Sequence, residues 1–291
     1  MNKELISKEF KKIQDSICSS ISELTSQKFS EDCWIYEKGT GGGRTRTLAG
    51  GIIEKGGVNF SSLSGLMSNK ISKKMVGKGN SFYATGVSIV IHPDNPFVPS
   101  IHMNIRYIER DKKAWFGGGI DLTPYYINVD EVVEYHTKLK NICDKHECAN
   151  YYEFKDKCDE YFYIKHRKET RGVGGIFFDY LQGNLNEIFD FVTDVGYSFN
   201  DIFHHISRNN FKMDYDDVNK KFQQYRRGRY VEFNLVYDRG TLFGLETDGR
   251  IESILMSLPP TCNWKYDWRP STKSKEAELY KYLKPIDWIN L

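Results

Sequence analysis

Residues 100–107 carry polar and apolar side chains in strict alternation, and the polar ones are suited to chemistry. Alternate side chains of a strand point to opposite faces, so His102, Asn104 and Arg106 share the face opposite Met103. A proton-transfer group, an amide and a guanidinium thus stand in a row, about 7 Å apart. A solvated face that happens to include a histidine is the alternative interpretation. The residue types favour a reactive face.

The following segment, residues 113–124, reads KAWFGGGIDLTP and places three consecutive glycines in an apolar strand. Such a run is costly, because glycine loses more backbone entropy on folding than any other residue. It is typical of positions where a ligand or another backbone approaches closely. Asp121 has the same parity as Gly117 and Gly119, which aims its carboxylate at whatever lies on the glycine floor. The two strands together predict a site for a large, flat molecule with polar edges.

Two further candidates belong to the strand that precedes this pair. Ser88 and His92 have the same parity, so both face the side of His102 if the register allows. His92 also begins the turn sequence HPDNP, and capping that turn is an equally good interpretation. The sequence leaves both roles open for this histidine.

Several arginines are candidates for binding carboxylates. Arg167 and Arg171 are four residues apart near the end of a predicted helix, so they are expected to share a helix face. Two planar guanidiniums can clamp a carboxylate, although compensation of the helix dipole is the alternative. Arg250 follows Asp248 and Gly249 in a sequence typical of a turn, where it either binds a ligand or simply lies at the surface.

Metal chemistry is a rival interpretation of some of these residues. His92 and Asp94, with the distant His166, match the spacing of a two-histidine, one-carboxylate iron site in an oxygenase. Against this, Asp94 lies in an Asp-Asn-Pro turn, where aspartate commonly bonds its own backbone. Residues 143–148 suggest zinc through two cysteines and a histidine, but their spacing suits no common structural zinc site. We therefore expect the six cysteines to be reduced structural thiols.

The overall composition excludes several classes of protein. Lys and Arg number 41 against 39 Asp and Glu, a net charge of +2, which speaks against a nucleic-acid-binding or membrane-surface protein. No apolar run approaches the roughly 20 residues that cross a membrane. The first thirty residues mix both charges and show neither a secretory signal nor a transit peptide, so a cytoplasmic location is expected.

The periodic pattern predicts an α+β fold, with helices packed against an antiparallel sheet. An amphipathic helix is expected within residues 1–28, and the absence of repeats and linkers favours a single domain over residues 1–291. The glycine-rich residues 39–43 are expected to form a mobile loop over the site. The predicted strands are 33–37, 47–54, 82–91, 99–108, 113–121, 177–181 and 229–238, and the later helices are 129–146, 151–168, 185–207, 214–227, 251–258 and 274–283.

These segments together resemble the oxygen-dependent coproporphyrinogen-III oxidases. The resemblance is carried by GGGRTRTLAGG, NFSSLSG, FYATGVSIVIHPDNPFVPSIHMNIRYIE, WFGGGIDLTPYY, YFYIKHRKETRGVGGIFFDYL and YVEFNLVYDRGTLFGLETDGRIESILMSLPP. It implies a homodimer built on a large, flat antiparallel sheet of about seven strands, with helices on both faces. It also implies that two propionates of coproporphyrinogen III become vinyls, with O₂ as oxidant and CO₂ released, giving protoporphyrinogen IX for haem synthesis.

The same resemblance assigns roles to individual residues. His102 falls at the proton-donor position, Asp121 receives pyrrole N–H groups, and Arg106, Arg171 and Arg250 hold propionates. No cofactor besides O₂ is expected, although family members differ on a divalent metal. The metal ligands would be His92, His102, His136 and His166. The substrate-binding positions are Ser88, Asn104, Ile105, Arg106, Arg167, Arg171, Gly249 and Arg250. Asp248 stands where relatives often have a neutral residue.

Residues 230–265 are predicted to form the contact of the homodimer. A strand that begins at Tyr230 would alternate apolar side chains such as Phe233 and Leu235, and the next helix offers Ile251 and Leu255. These two apolar surfaces, which are close in sequence, have more apolar area than one buried face requires. A contact across a two-fold axis would bury the remaining apolar area. A tetrapyrrole carrier without turnover is the non-enzymatic alternative, but a carrier needs no proton donor.

Overall fold

A seven-stranded antiparallel sheet lies at the centre of the protein, in a computed structural model that describes residues 1–67, 72, 77–246 and 249–291. Six strands follow chain order across the sheet, and the last strand of the chain adds beside the sixth. A two-stranded ribbon, in which Tyr163–Ile164 pairs with Glu169–Thr170, is separate from the sheet. The strands are β1 (Ser30–Ile35), β2 (Gly39–Ala49), β3 (Ile53–Leu66), β4 (Ser81–Pro93), β5 (Ser100–Arg110), β6 (Lys113–Thr123), β7 (Tyr163–Ile164), β8 (Glu169–Thr170) and β9 (Gly174–Leu181). This confirms the predicted α+β class and the sheet that the resemblance implies.

Helices surround the sheet, and several begin at an asparagine that caps the first turn. The side chains of Asn2, Asn128 and Asn150 each accept a main-chain N–H of the first turn that has no partner within the helix. Within the described residues, no helix has the length and apolar character that crossing a membrane requires. The helices are α1 (Lys3–Thr25), α2 (Val129–Cys143), α3 (Tyr151–Tyr161), α4 (Leu185–Ser207), α5 (Asp217–Val236), α6 (Arg239–Glu246), α7 (Ile251–Leu255) and α8 (Lys275–Leu279).

The two faces of the sheet differ in what covers them. On one face, α1 and α4 pack so closely that a Cβ added to Gly196 of α4 would lie 2.8 Å from Ile13 and 3.0 Å from Ile105. On the other face, Met256 after α7 packs directly onto Gly57 of β3. Helices therefore lie on both faces, and the α1–α4 face holds the main apolar core. The opposite face is the one that carries the polar residues of β5.

The glycine-rich residues 39–43 are part of β2, so the prediction of a mobile loop over the site is wrong. They pair with β1 on one side and β3 on the other. A Cβ added to Gly43 would lie 2.2 Å from the ring of Trp34, and this close approach explains why glycine stands there. The strand predicted at residues 47–54 is instead a hairpin, which turns at Gly50 and Gly51 with φ of 76° and 83°.

Residues 217–236 form one continuous helix, α5, so the prediction of a strand at 229–238 is wrong. Asp216 opens this helix with a capping box that includes Asn219. Phe222, Tyr230 and Phe233 are all buried, and their spacing is that of one helix face. α5 buries side chains on more than one of its sides. Aromatic and polar residues therefore alternate in the sequence near Tyr230, and this alternation has the same period as that of a strand.

Candidate active site

A row of paired residues crosses the polar face of the sheet. Residues that are paired across antiparallel strands share a face, so one residue from each strand fixes the row. Ser88 pairs with Asn104, which places both on the side predicted from their parity. From β1 to β9 the row consists of Asp32, Thr45, Asn59, Ser88, Asn104, Gly119 and Phe177. The floor of the candidate site is this row together with its neighbours.

His102 and Asp121 face each other on adjacent strands beside the row. The two residues are paired in register between β5 and β6. His102 Nδ1 lies 2.7 Å from Asp121 Oδ1. An ionised carboxylate only accepts hydrogen bonds, so Nδ1 carries the proton and donates, which leaves Nε2 as the other reactive atom of the ring. The His102 side chain is 23% exposed, whereas that of Asp121 is 2% exposed. His102 is therefore the member of this pair that a substrate can reach.

Arg171 is the buried partner of Asp121, and it does not lie at the rim of the site. Its Nη2 donates to Asp121 Oδ1 and Oδ2 at 2.9 and 2.7 Å. Its guanidinium carbon lies 4.2, 4.4 and 4.9 Å from the ring centres of Phe162, Tyr230 and Phe233. The side chain is 2% exposed. The prediction that Arg171 shares a helix face with Arg167 is wrong, because α3 ends at Tyr161 and both arginines follow it.

The ionisation of Asp121 depends on its two partners. Burial by itself disfavours the charged carboxylate, but Arg171 and His102 outweigh burial and hold the pKa of Asp121 below its ordinary value. The guanidinium is also fixed by Asn234, whose Oδ1 accepts from Arg171 Nη1 at 2.7 Å. His102, Asp121, Arg171 and Asn234 thus form one hydrogen-bonded chain from the sheet face to α5. The alternation of side chains along a single strand could not predict that Arg171 and Asn234 belong to this chain of hydrogen bonds.

Arg106 lies on the glycine floor next to Gly117, with which it is paired. Its Nη1 donates to Asn104 Oδ1 at 2.9 Å, and its Nη2 lies 2.9 Å from Asp179 Oδ1. A Cβ added to Gly117 would lie 2.8 Å from the guanidinium and 2.6 Å from the Asp179 carboxylate, so glycine makes room for this pair. Sequence reasoning missed Asp179, although its parity with Phe177 in FFDYL was the available signal.

Arg250 lies near the β1 end of the row. It forms an ion pair with Asp32 on β1, and its guanidinium carbon is 5.8 Å from the Trp34 ring. Four strand spacings of about 4.8 Å separate Asp32 from Asn104, a span of about 19 Å. Gly249 donates its N–H to the main-chain carbonyl of Gly244 at 2.8 Å, which shapes the turn before Arg250. Asp248, the predicted departure in this turn, lies outside the described residues.

Two predicted substrate-binding positions turn away from the floor. The side chain of Ile105 is fully buried in the core on the α1–α4 face, so only its backbone belongs to the site. Arg167 is bound through Nε and Nη2 to both carboxylate oxygens of Glu232, at 2.8 and 2.6 Å. Burial raises the pKa of Glu232, but its bonds to Arg167, His166 and Trp264 lower it to about 2. Arg167 therefore has a local partner that a substrate carboxylate would have to displace.

The four histidines expected to hold a metal lie in separate hydrogen-bond networks. In His92, Nε2 lies 2.9 Å from a main-chain carbonyl and Nδ1 2.9 Å from the Ser100 hydroxyl. In His136, Nε2 lies 3.1 Å from a main-chain carbonyl and Nδ1 2.8 Å from a tyrosine hydroxyl. His166 contacts a tyrosine and a glutamate. Since both nitrogens of His92 and His136 are engaged, the four residues do not fit a shared metal site.

The residues of the other two predicted metal sites, the iron site with Asp94 and the zinc segment at residues 143–148, do not come together either. Asp94 Oδ1 accepts from Lys220 at 2.7 Å, so this carboxylate has a lysine partner instead of a place beside His92. His146, the histidine of the proposed zinc segment, lies 2.8 Å from Asp194. Across the described part of the chain, no group of three or more histidine, cysteine, aspartate or glutamate side chains is arranged to hold a metal ion.

Comparison with known proteins identifies the family of the chain. The sequence model of the family described as coproporphyrinogen III oxidase matches residues 5–288. A protein of Dictyostelium discoideum named oxygen-dependent coproporphyrinogen-III oxidase is 46% identical to the chain, across 99% of the chain and 95% of that protein. A protein of the same name from Francisella philomiragia is 48% identical, across 95% of each. The chain belongs to the coproporphyrinogen III oxidase family.

Proposed function

We propose that the chain catalyses the oxygen-dependent decarboxylation of two propionates of coproporphyrinogen III to vinyls, which gives protoporphyrinogen IX and CO₂ in haem biosynthesis. The observation that carries this proposal is the placement of the His102–Asp121 pair on the same face of the sheet as Arg106 on β5 and as Arg250, which is paired with Asp32 on β1. A macrocycle that carries several carboxylates matches an open floor between separated guanidiniums.

The proposed position of the substrate follows from which side chains are accessible. The macrocycle lies over Gly119, beside the Arg106–Asp179 pair that fills the space over Gly117, and its propionates reach Arg106 and Arg250. The resemblance suggested direct contact between Asp121 and the pyrrole N–H groups, but the burial of this carboxylate favours another role. In our proposal Asp121 holds the proton on His102 Nδ1 and orients the ring, so that Nε2 faces the reacting propionate.

The reaction balances with O₂ as the oxidant. The carboxylate carbon leaves as CO₂, and the electron pair of the broken C–C bond becomes the second bond of the vinyl group. The β-hydrogen leaves with its electron pair to O₂, which takes up one further proton to become hydrogen peroxide. The proposed task of His102 Nε2 is to supply that proton, and the task of the arginines is to hold the propionate still.

The basic test is turnover. Purified protein is incubated with coproporphyrinogen III in air, and the two-vinyl product and O₂ consumption are measured. We expect one O₂ consumed for each propionate lost. Binding of the substrate without any product would support the tetrapyrrole carrier and contradict the enzyme.

We further propose that turnover requires no metal ion, because the four histidines do not converge and His102 is used for proton transfer. Protein that is exhaustively chelated, and shown to be metal-poor by elemental analysis, is expected to keep most of its activity. Loss of activity on chelation, with recovery on adding one equivalent of Fe²⁺ or another divalent ion, would overturn this. The control is a parallel sample treated with the metal-saturated chelator.

Arg106 provides the sharpest test of substrate binding. Arg106→Ala is expected to weaken binding by about 1.5–3 kcal/mol, the range of hydrogen bonds to charged groups, or roughly tenfold to a hundredfold in Kd. Arg106→Lys should recover little, because the planar fork is lost. Titration of the anaerobic protein with substrate measures both values. Full recovery with lysine would contradict a bidentate role.

We also propose that the chain forms a homodimer through residues 230–265. The sequence predicted a strand followed by a helix in this segment, but the structure has three helices, α5, α6 and α7. These helices present exposed apolar side chains. The exposed residues are Leu235, Val236, Leu242, Phe243, Leu245 and Ile251. An apolar surface of this kind is typical of an obligate contact, and a two-fold axis would cover it with its own copy.

A further inference from the structure

Asn59 of β3 belongs to the paired row that crosses the polar face of the sheet. Two strand spacings, about 10 Å, separate it from Asp32 on β1 and from Asn104 on β5. Ser88 on β4 is its paired neighbour. The side chain of Asn59 is partly exposed, so a ligand on the floor of the site can reach it.

The amide of Asn59 is oriented by Thr45, whose hydroxyl has three polar contacts. Trp34 Nε1 can only donate, so Thr45 Oγ1 accepts from it at 3.1 Å. The single hydrogen of that hydroxyl is donated to Asn59 Oδ1 at 2.7 Å. Ser253 Oγ, at 3.1 Å, therefore donates to the second lone pair of Thr45 Oγ1. Since Thr45 is only 6% exposed and its bonding capacity is filled, it holds the amide oxygen and turns the amide nitrogen to the opposite side.

Hydrogen-bond donors on three adjacent strands are available to a ligand on the floor. Within the described residues, Asn59 Nδ2 and the Ser88 hydroxyl have no hydrogen-bond partner, and neither atom is enclosed. Asn104 accepts from Arg106 through its Oδ1, which leaves its Nδ2 as the third donor. The pyrrole N–H groups of a porphyrinogen are donors as well, so they cannot satisfy an amide N–H. The carboxylate of a propionate is the acceptor that fits these groups.

We propose that Asn59 is a substrate-binding residue, whose Nδ2 donates to a propionate carboxylate beside Ser88. The proposal rests on the proposed function and adds β3 to the strands that contact the substrate. The hydroxyl of Thr45 holds the amide in the orientation that this bond needs. Because an amide is neutral, Asn59 fixes the position of one propionate without adding to the positive charge of the arginines.

The order of two substitutions distinguishes contact with the substrate from support of the fold. Asn59→Ala is expected to raise Kd about threefold to tenfold, because one donor is removed. Asn59→Asp keeps the size of the side chain and an oxygen that accepts from Thr45, but its charge repels a propionate. It should raise Kd about tenfold more than alanine does. A residue that only supports the fold gives the reverse order, since alanine loses the bond to Thr45 and aspartate keeps it.

Calorimetric titration of the anaerobic proteins with coproporphyrinogen III measures Kd, and assays in air measure kcat. The value of kcat should change by less than about twofold, because Asn59 does not contact the His102–Asp121 pair. Asn209→Asp, at an exposed position after α4, is the matched control for the added charge and should leave Kd unchanged. The ratio of Kd between Asn59→Asp and the wild type should fall as the salt concentration rises, since salt screens the repulsion.

The outcomes separate this proposal from the proposed function. An unchanged Kd in Asn59→Asp, or a smaller effect of aspartate than of alanine, would overturn the role of Asn59. These results can be obtained only with a wild-type protein that binds the substrate and turns it over. A wild-type protein that gives no product would instead contradict the proposed function.

Discussion

Arg171 determines the electrostatics of the site, because its guanidinium is buried among aromatic rings and is bound to both oxygens of Asp121. Removing either member of such a pair leaves an uncompensated buried charge. His102 has a different position, since it bonds to Asp121 at the accessible side. Substitutions in the Asp121–Arg171 pair are therefore expected to lower the free energy of unfolding, whereas substitutions at His102 should mainly lower turnover.

His102→Gln is expected to lower kcat by about a hundredfold or more, the usual contribution of a general acid or base. Its free energy of unfolding should change by only about 1 kcal/mol, because the Asp121–Arg171 pair remains. Asp121→Asn should lower kcat as well, but it should also cost about 3–5 kcal/mol of stability, because the buried charge of Arg171 loses the carboxylate that compensates it. Denaturant unfolding and single-turnover assays measure the two quantities. Equal losses of stability in both variants would contradict this division of roles.

At the same scale, parity within single strands was enough to place His102, Asn104, Arg106 and Asp121 on one face. Their partners could not be predicted in this way. Arg171 is 50 residues from Asp121 in sequence, and a segment with no regular period carries it to the sheet. The contact depends on how the chain returns after α3, which no local pattern encodes.

At the scale of elements, two buried histidines join parts of the fold that are distant in sequence. His92 joins β4 to the segment after α7 through the main-chain carbonyl of Ser257. His136 joins α2 to the segment before β9 through the carbonyl of Val173. Burial holds the pKa of His136 down to about 3, and burial together with Arg227 holds the pKa of His92 well below its ordinary value.

This makes folding stability dependent on pH in a defined direction. Below about pH 6.5 the unfolded chain protonates these histidines while the folded chain does not, so stability falls as pH falls. Each histidine contributes a slope of up to about 1.4 kcal/mol per pH unit, down to its own folded pKa. Urea unfolding at several pH values between 7 and about 4.5 measures the slope.

His136→Gln should reduce that slope by the contribution of one histidine. His205→Gln, at a partly exposed position on α4, is the control and should leave most of the slope intact. A wild-type stability that does not change over this pH range would contradict the assignment of neutral buried histidines.

The elements themselves were predicted unevenly. Long segments with a clear period, such as α4 and β5, matched their predicted residues closely. The errors fell where tertiary contacts override local pattern. Gly43 belongs to a strand because Trp34 packs on it. The second half of α5 is a helix because it buries Arg226, Arg227 and Arg229 as well as aromatic side chains.

At the scale of the whole molecule, the dimer is the main prediction. Phe243→Asp places a charge within the exposed apolar surface of α6, and it should convert a dimer into monomers at micromolar concentration. Sedimentation velocity measures the change. Leu5→Asp, at an exposed position of α1, is the control and should leave the dimer intact. A wild-type chain that is monomeric and active at the same concentration would contradict the proposal.

The single domain and the cytoplasmic location remain predictions. The domain prediction has a physical basis in the sheet, because its strands run from residue 30 to residue 181, α1 packs on β3 and β4, and α4 packs on β5 and β6. The dimer segment was predicted from the apolar content of residues 230–265. Its helical form could not be predicted, because a count of apolar residues does not distinguish a strand from a helix over so short a span.

The chain of contacts through Arg171 also bears on how the protein folds. Arg171 meets Asp121 across 50 residues and Asn234 across 63, so both loops have to close before the guanidinium is enclosed. Contacts of such long range are expected to form after the rate-limiting step, once the strands on either side are in register. Substitutions in this chain should then act on the rate of unfolding and leave the rate of folding nearly unchanged. The same few side chains thus determine how long the enzyme stays folded and hold its reactive residues in place.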